Sequence, residues 1–321
     1  MNLLTRRQFG VSMAAVAAVS ARALGQEPRA TPIPARTVNL VAFFVSNVDR
    51  TVEWYQKVFG LPVQYRYDVA GGKAAVLAVG KGPQSVVLYP ANGAKPGYSH
   101  WGFGIPGYNR ARLTALLAEH QVKTELTSRK SPGGEVLKLI MRDPDNLKVQ
   151  LQDASYCGGG GPLGNQCPQP WTMAPKTSVP PVAVTDWNHV SVRVSDIDRA
   201  CRFYQRVFDM YMQTVQPMTS QAPVPILGLG AGPAFIAPYG GESVVGIGHA
   251  CMGITNFRPQ QVEKMLDALG VKHGDINRRR PAYPPYDVFE GFMLQDPDGT
   301  SVQIANNTYC AGRGPLGEDC P

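Results

Sequence analysis

The sequence predicts an α+β fold built from two copies of one domain. A shift of 149 residues places residues 54–59 on residues 203–208, and it also places His100 on His249. Each copy opens with alternating apolar residues, which are typical of a half-buried strand, and continues with apolar residues at helical spacing. Short apolar runs then indicate further strands, and a second set of the same kind follows.

The repeat extends to the end of the chain and sets the domain boundaries. Beyond a four-residue insertion in the second copy the shift becomes 153, which places Gln150 on Gln303. The predicted domains are residues 37–167 and 186–321. Residues 168–185 between them contain five prolines, which disfavour helix and suit an extended linker.

The first 25 residues resemble an export signal rather than part of the fold. Arg6 and Arg7 precede a short apolar stretch at residues 11–19, and small residues follow. This order is similar to the twin-arginine signal that directs folded proteins across a bacterial inner membrane. An ordinary secretory signal with two arginines is the alternative. We therefore expect a periplasmic or secreted protein, with the twin-arginine export machinery as a partner.

Composition and charge argue against membrane and nucleic-acid partners. The chain is 44% hydrophobic and 17% charged, and no apolar run reaches the roughly 20 residues of a membrane span. The formal net charge of +7 falls to about +4 when the signal is removed. Residues 278–280 are the densest basic cluster, and a solvated loop is the favoured interpretation of that run.

The cysteines repeat with the domains. Cys157 and Cys167 enclose a nine-residue loop after the first copy, and Cys310 and Cys320 enclose the matching loop after the second. In an exported protein these pairs predict one disulfide per copy, each stabilising its copy by about 2 to 3 kcal/mol. A thiolate metal site is disfavoured because C-x9-C is not a usual zinc spacing. The two remaining cysteines are expected to be free thiols, Cys201 and Cys251.

The first strand of the second copy has two chemically different faces. Val190 and Val192 make one face apolar, so His189 points to the other side. A helix predicted at about residues 198–208 packs on the apolar face. His189 therefore faces away from the main core, whereas the first copy has Leu40 at this position.

These segments resemble the vicinal oxygen chelate superfamily, which includes glyoxalase I, fosfomycin resistance enzymes, extradiol dioxygenases and bleomycin resistance proteins. The resemblance lies in residues 188–208, in the later strand that begins at His249, and in the closing DPDG turn with a ligand position four residues beyond its glycine. It covers both copies. The resemblance implies paired βαβββ modules whose sheets curl into half-open barrels around a small-molecule site.

The resemblance also implies a divalent metal ion. The family's ligand positions correspond to His189, His249 and Gln303 in the second copy, although the family more often has glutamate at the third. Two imidazoles and an oxygen donor suit a first-row metal with open coordination positions. Zinc, nickel, manganese, copper and iron are all candidates.

The first copy has a different set at the same positions. Leu40, His100 and Gln150 occupy them, and because leucine cannot coordinate a metal we expect a degenerate site there. In some relatives the modules exchange partners, which would instead join His189 to His100 and Gln150. We favour the unexchanged set, His189, His249 and Gln303, because it leaves the incomplete set within one copy, but the sequence leaves both arrangements open.

The resemblance leaves the reaction open as well. A ring-cleaving iron dioxygenase would present two histidines and a carboxylate with a further histidine and tyrosine, for which His273, Tyr283 and Tyr286 are weak matches. A lyase or isomerase that uses Lewis-acid chemistry on a small oxygen-bearing substrate fits Gln303 better. Glu290 is the candidate base. The alternative function is noncatalytic binding of a small molecule or metal chelate, as in bleomycin resistance proteins.

Overall fold

Both copies belong to one compact unit that begins at Pro32. The computed structural model describes residues 30–131, 134–169, 171–173, 178–216, 222–240, 244–279 and 287–320. The predicted export signal lies outside these residues. Within the described ranges, no helix has both the length and the apolar character needed to cross a membrane.

The first copy forms a sheet of eight strands with two helices. Its elements follow one another as β1 (Thr37–Val45), α1 (Val48–Phe59), β2 (Val63–Val69), β3 (Gly72–Ala78), β4 (Ser85–Pro90), β5 (Gly97–Ile105), α2 (Arg110–Glu119), β6 (Thr124–Ser131), β7 (Gly134–Arg142) and β8 (Lys148–Asp153). The strand order in the sheet is β2-β3-β4-β1-β5-β8-β7-β6.

The second copy repeats this arrangement. Its elements are β9 (Asp186–Arg193), α3 (Ile197–Phe208), β10 (Tyr211–Gln216), β11 (Val224–Gly228), β12 (Phe235–Tyr239), β13 (Gly246–Ile254), α4 (Pro259–Leu269), β14 (His273–Arg279), β15 (Asp287–Gln295) and β16 (Ser301–Asn306). The strand order is β10-β11-β12-β9-β13-β16-β15-β14. The predicted α+β fold with two βαβββ modules per copy is confirmed.

Both modules of each sheet come from the same copy. Strand β9 pairs antiparallel with β13, and β13 pairs in parallel with β16, so the three strands of the second copy that carry the predicted ligands are neighbours. Strands β1, β5 and β8 are arranged in the same way in the first copy. The modules are therefore not exchanged between the copies.

The first helix of each copy is capped by a short polar side chain. Asn47 Oδ1 accepts a hydrogen bond from Arg50 N, and Asp196 Oδ1 accepts one from Arg199 N, so each side chain satisfies a backbone N–H that the first turn leaves unpaired. The apolar face of α3 buries residues such as Phe203, as its helical spacing predicts.

One hydrophobic core is shared by the two copies. Phe43 and Trp101 from the first sheet belong to the same buried cluster as Trp187, Val190 and Val192 from the second. Since successive residues of a strand point to opposite faces, the other face of each sheet is left to line a cavity of its own. His189 lies on that other face, as its sequence position predicts.

The chain segment before the first strand of each copy binds to the other copy. Ile33 N donates to Val207 O at the end of α3 (2.8 Å), and Val182 N donates to Val58 O near the end of α1 (2.8 Å). Val184 is also buried in the shared core. The last part of the predicted linker is thus packed against the first copy, while Pro170 and residues 174–177 lie outside the described residues.

The turns before β8 and β16 also cross between the copies. Arg50 on α1 forms an ion pair with Asp298 (2.7 Å), and Arg199 on α3 forms the matching pair with Asp145 (2.9 Å). Each copy thereby receives one aspartate from the closing turn of the other.

The predicted disulfides are confirmed. Cys157 is bonded to Cys167 and Cys310 to Cys320, so each bridge closes the loop that follows the last strand of its own copy. The remaining described cysteines, Cys201 and Cys251, are free and buried.

Candidate metal centre

The second sheet surrounds a cavity of about 280 Å³. The four residues that the sequence singled out all line it, namely His189, His249, Gln303 and Glu290. They come from β9, β13, β16 and β15. The structure therefore brings together residues that are up to 114 positions apart in the sequence.

The environment of His189 fixes which of its nitrogens carries the proton. The Asn188 amide nitrogen donates to the carbonyl oxygens of Asn307 (3.2 Å) and Tyr309 (2.9 Å). The Asn188 Oδ1 atom is therefore the one that lies 2.8 Å from His189 Nδ1, and it accepts a hydrogen bond from it. Because burial, followed by the proximity of His249, holds the pKa of His189 well below its usual range, the ring is neutral and the lone pair lies on Nε2.

His249 presents its own Nε2 to the same point. That atom lies 3.2 Å from His189 Nε2 and 3.1 Å from Ser191 Oγ. The two rings meet edge to face, with an interplanar angle of 82°. Two imidazole nitrogens on neighbouring strands thus converge at one place in the cavity.

Gln303 and Glu290 are oriented by hydrogen bonds. Gln303 Nε2 donates a hydrogen bond to the backbone oxygen of Glu290 (2.9 Å). The side-chain carbonyl oxygen of Gln303 is therefore the atom left to coordinate a metal ion. Glu290 is only 3% exposed, and its carboxylate accepts a hydrogen bond of 2.5 Å from Gln216 Nε2. Both side chains have one defined orientation.

These residues fit a divalent first-row ion. Two imidazole nitrogens and one carboxamide oxygen provide three neutral donors and leave open positions for a substrate. Within the described part of the chain, no three His, Cys, Asp or Glu side chains are grouped as a metal site. Gln303 therefore remains the predicted third donor beside the two histidines.

The other side chains that the sequence raised are placed differently. His273 contacts Asp267 (3.2 Å) and is not among the cavity residues, while Tyr283 and Tyr286 lie outside the described residues. Cys251 is buried beside the cavity, and burial raises the pKa of its thiol well above the usual value, so the thiol is protonated.

Sequence reasoning did not identify Asn188, Ser191 or Gln216. Asn188 stands next to His189 in the chain, and this adjacency was the available signal for it. Gln216 lies 74 positions before Glu290, and the sequence contains no signal for their contact.

The matching positions of the first copy contain a different arrangement. Leu40 is buried, and His100 Nε2 lies 3.3 Å from Gln150 Oε1. The Gln150 amide nitrogen donates to Gln152 Oε1, which fixes Oε1 of Gln150 as an acceptor, so His100 Nε2 donates to it. Burial and then the charge of Lys138 lower the pKa of His100 to about 3. Its nitrogen lone pair therefore faces away from Gln150.

The sheets, the paired modules and the histidine-lined cavity define a tandem vicinal oxygen chelate protein. The family model of the Glyoxalase/Bleomycin resistance protein/Dioxygenase superfamily matches residues 37–151 and 187–304. The chain belongs to this superfamily.

Two curated relatives, both lactoylglutathione lyases of one organism, are similar to the chain. Lactoylglutathione lyase GLX1 of Arabidopsis thaliana is 26% identical over 178 residues, which are 53% of this chain and 53% of that protein. A probable chloroplastic lactoylglutathione lyase of the same organism is 25% identical over 181 residues, covering 53% of this chain and 43% of that protein. The chain spans about half the length of the curated relatives it matches.

Solved structures share the fold at low sequence identity. The 2,3-dioxygenase LapB from Pseudomonas sp. KL28 has a TM-score of 0.61 and 14% identity, with 86% of this chain and 94% of that chain covered. The Mn(II)-bound glyoxalase from Novosphingobium aromaticivorans has a TM-score of 0.59 and 14% identity, with 84% and 82% covered.

Proposed function

We propose that the second copy binds a divalent metal ion through His189, His249 and Gln303, and that the protein is a metal-dependent enzyme acting on a small oxygen-bearing substrate. One observation carries the proposal: the two Nε2 atoms converge to 3.2 Å, and the tautomer of His189 leaves a lone pair on its Nε2. Family members with metal-dependent chemistry, such as the Mn(II)-bound glyoxalase, support it.

The bound ion would supply Lewis-acid chemistry by polarising a substrate oxygen. Glu290 is the proposed base, which accepts a proton from the substrate at its carboxylate oxygen. Gln216 holds that carboxylate in place, and the enclosure of the cavity keeps bulk water away from it. Phe235 and Val224 provide the apolar wall against which the carbon skeleton of a substrate packs.

The donor set favours a lyase or isomerase over a ring-cleaving dioxygenase. The iron dioxygenases of this class use two histidines and a carboxylate, whereas this cavity has the neutral Gln303 at the third position. His273, the described candidate for an additional histidine, lies outside the cavity lining. Similarity to lactoylglutathione lyases agrees with this choice.

The proposal includes export. Arg6 and Arg7 with the following apolar stretch support it, and two disulfides are typical of an oxidising compartment. Replacement of both arginines by lysine should leave unprocessed precursor in the cytoplasm of a bacterial host. Unchanged export of that variant would remove the twin-arginine pathway from the proposal.

Metal analysis tests the site directly. Purified mature wild type, His249→Ala and His100→Ala should be reconstituted separately with zinc, nickel, manganese, copper and iron after circular dichroism confirms folding. These histidines occupy matching positions, so each variant controls for the other. We expect about one metal per chain in wild type and His100→Ala, and a loss of at least tenfold in occupancy in His249→Ala, which lacks one of three donors.

The outcomes separate the competing functions. Loss of metal in His100→Ala with retention in His249→Ala would contradict the assignment, as would wild type that binds none of the five ions. Glu290→Gln should retain the metal and lose turnover of lactoylglutathione, the compound that the names of the matched lyases give. Metal and ligand binding without turnover of any substrate would point instead to a noncatalytic binding protein.

A further inference from the structure

The first copy contains a second cavity of about 280 Å³, at the position that corresponds to the metal centre of the other copy. Its lining differs from that of the metal centre in containing three cationic side chains, Arg129, Lys138 and Lys148. The apolar part of the lining includes Phe44 and Ile140. The chemistry of this cavity is therefore cationic and apolar.

Lys138 is held by two phenols rather than by a carboxylate. Its Nζ donates to Tyr89 Oη (2.9 Å) and lies 3.5 Å from Tyr67 Oη. Burial raises the pKa of both tyrosines above the usual value, so both phenols are neutral. In the described part of the chain, no carboxylate lies within the 4.0 Å of an ion pair with Lys138.

Arg129 is a second cation of the lining, and it is buried. Only 8% of the residue is exposed, and its Nη2 donates to the backbone oxygens of Gly158 and Gly159. The guanidinium lies over the ring of Tyr67, with Cζ 4.3 Å from the centroid. Its Nε and Nη1 atoms are buried without a hydrogen-bond partner among the described residues, which is unusual for so strong a donor.

The acidic residue in the lining does not balance these charges. Glu125 is the one carboxylate among the described lining residues, and it pairs with Arg142 at 3.7 Å. Buried charge without a counter-charge costs free energy. An anion in the cavity would supply the missing counter-charge through charge-assisted hydrogen bonds.

We propose that the first-copy cavity binds a small organic anion, a carboxylate or phosphate ester with an apolar body, and that it does so without a metal. Lys138 and Arg129 recognise the anionic group. Phe44 and Ile140 contact the apolar body. This site is separate from the proposed metal centre, because its residues come from the first sheet and none of them lines the other cavity.

The first experiment measures ligand binding to metal-free, mature wild-type protein by isothermal titration calorimetry. Benzoate and phenyl phosphate represent the two anionic groups on an apolar body, inorganic phosphate has no such body, and benzyl alcohol has no charge. We expect benzoate or phenyl phosphate to bind at least tenfold more tightly than benzyl alcohol. Equal or tighter binding of benzyl alcohol, or no binding of any anion, would overturn the proposal.

Inorganic phosphate tests the apolar part of the proposal. Binding at least tenfold weaker than that of phenyl phosphate supports the assignment of an organic anion. Binding as tight as that of phenyl phosphate would overturn the role given to Phe44 and Ile140.

Charge variants locate the site. Lys138→Met and Arg129→Met should each weaken binding of the preferred anion at least tenfold, whereas Lys138→Arg keeps the charge and should stay within about fivefold of wild type. Lys130→Met is the matched control, because Lys130 neighbours Arg129 but is exposed and outside the cavity lining. An equal loss in Lys130→Met, or full binding in Lys138→Met, would show that the anion binds elsewhere.

Two further measurements keep the result interpretable. Circular dichroism and thermal unfolding establish that each variant is folded. If Arg129→Met is not folded, the comparison of Lys138→Met with Lys138→Arg decides whether the anion binds in this cavity. His249→Ala should bind the anion as wild type does. Loss of anion binding in His249→Ala would place the anion in the second cavity and overturn this inference, whereas metal content and turnover decide the proposed function.

Discussion

The two cavities have opposite charge at nearly the same place. Leu139 pairs with Leu151 in the first sheet, and Phe292 pairs with Ile304 in the second, so the repeat places Lys138 on Gly291. The second copy has a backbone irregularity there, and the residue before the glycine, Glu290, lines the cavity instead. One copy therefore presents a cation where the other presents a carboxylate.

The same comparison applies to the histidines. His100 and His249 occupy matching positions, yet His100 Nε2 donates to a carboxamide oxygen while His249 Nε2 faces a second imidazole. The residue type is unchanged and its hydrogen-bonding role differs. A duplicated histidine is thus not by itself evidence of a duplicated metal site, because its neighbours decide which nitrogen carries the proton.

The largest effect on stability is expected from a substitution at the place where the backbones of the two copies differ. Gly291 has a φ of 125°, and a Cβ there would lie 2.0 Å from the Ile304 backbone oxygen. Gly134, on the equivalent strand, has a φ of 121° with no heavy atom within 4 Å of such a Cβ. Gly291→Ala should lower the free energy of unfolding by about 4 kcal/mol, from strain plus overpacking, and Gly134→Ala by about 1 to 2 kcal/mol.

Thermal and denaturant unfolding of the two alanine variants checks this prediction. Equal destabilisation would show that positive φ alone limits both positions. A folded Gly291→Ala protein should also lose turnover, since Glu290 would no longer be held beside Gln216.

The second prediction concerns pH and is made for metal-free protein. The pKa of His100 is about 3 in the folded state against an ordinary value of 6.5, so the unfolded chain binds more protons between these values. The contribution of His100 to the free energy of unfolding is complete above about pH 6.5. It falls by about 1.4 kcal/mol per pH unit as the pH decreases toward 3. His189, with its lowered pKa, changes stability in the same direction.

Replacement of one histidine isolates its contribution. Chemical unfolding of wild type and His100→Gln should be measured at pH 7, 6, 5 and 4. The free energy of unfolding should depend less steeply on pH in the variant, by the slope that corresponds to one bound proton. If the free energies of unfolding of the two proteins change with pH in parallel, His100 titrates normally in the folded state.

The prediction with the smallest expected effect concerns the two disulfide loops, which should differ in their influence on anion binding. The Gly158 and Gly159 carbonyls that hold Arg129 follow directly after Cys157. Removal of either bridge by serine substitution of both cysteines should cost about 2 to 3 kcal/mol of stability. Removal of the Cys157–Cys167 bridge alone should also weaken anion binding about fivefold, because the loop no longer positions the guanidinium.

The second bridge is the control for the first. Removal of Cys310–Cys320, which lies in the other copy, should leave anion binding unchanged when measured by the same calorimetry. Equal weakening by both substitutions would attribute the effect to global destabilisation rather than to the position of Arg129.

Most of the fold was predictable because it depends on local patterns and on the repeat. Alternation placed His189 on the face away from the core, and cysteine spacing predicted both bridges. The resemblance supplied the grouping of ligand positions, and the strand pairing then distinguished the unexchanged modules from the exchanged ones.

The remaining features depend on contacts that no local pattern encodes. The proton position on His189 follows from carbonyl oxygens more than 100 residues away, at Asn307 and Tyr309. The hydrogen bond between Gln216 and Glu290 likewise joins strands that are distant in the chain. The cationic cavity was missed because Arg129 and Lys138 are unremarkable in the sequence until the fold encloses them together.

The crossed turns that join Arg50 to Asp298 and Arg199 to Asp145 bear on the history of the gene. Each half completes the other, and a half encoded alone would expose its side of the shared core. Deletion of one half of the gene would therefore leave the other half with an exposed apolar face, so folding alone gives the half with Leu40 a role whatever its own cavity binds.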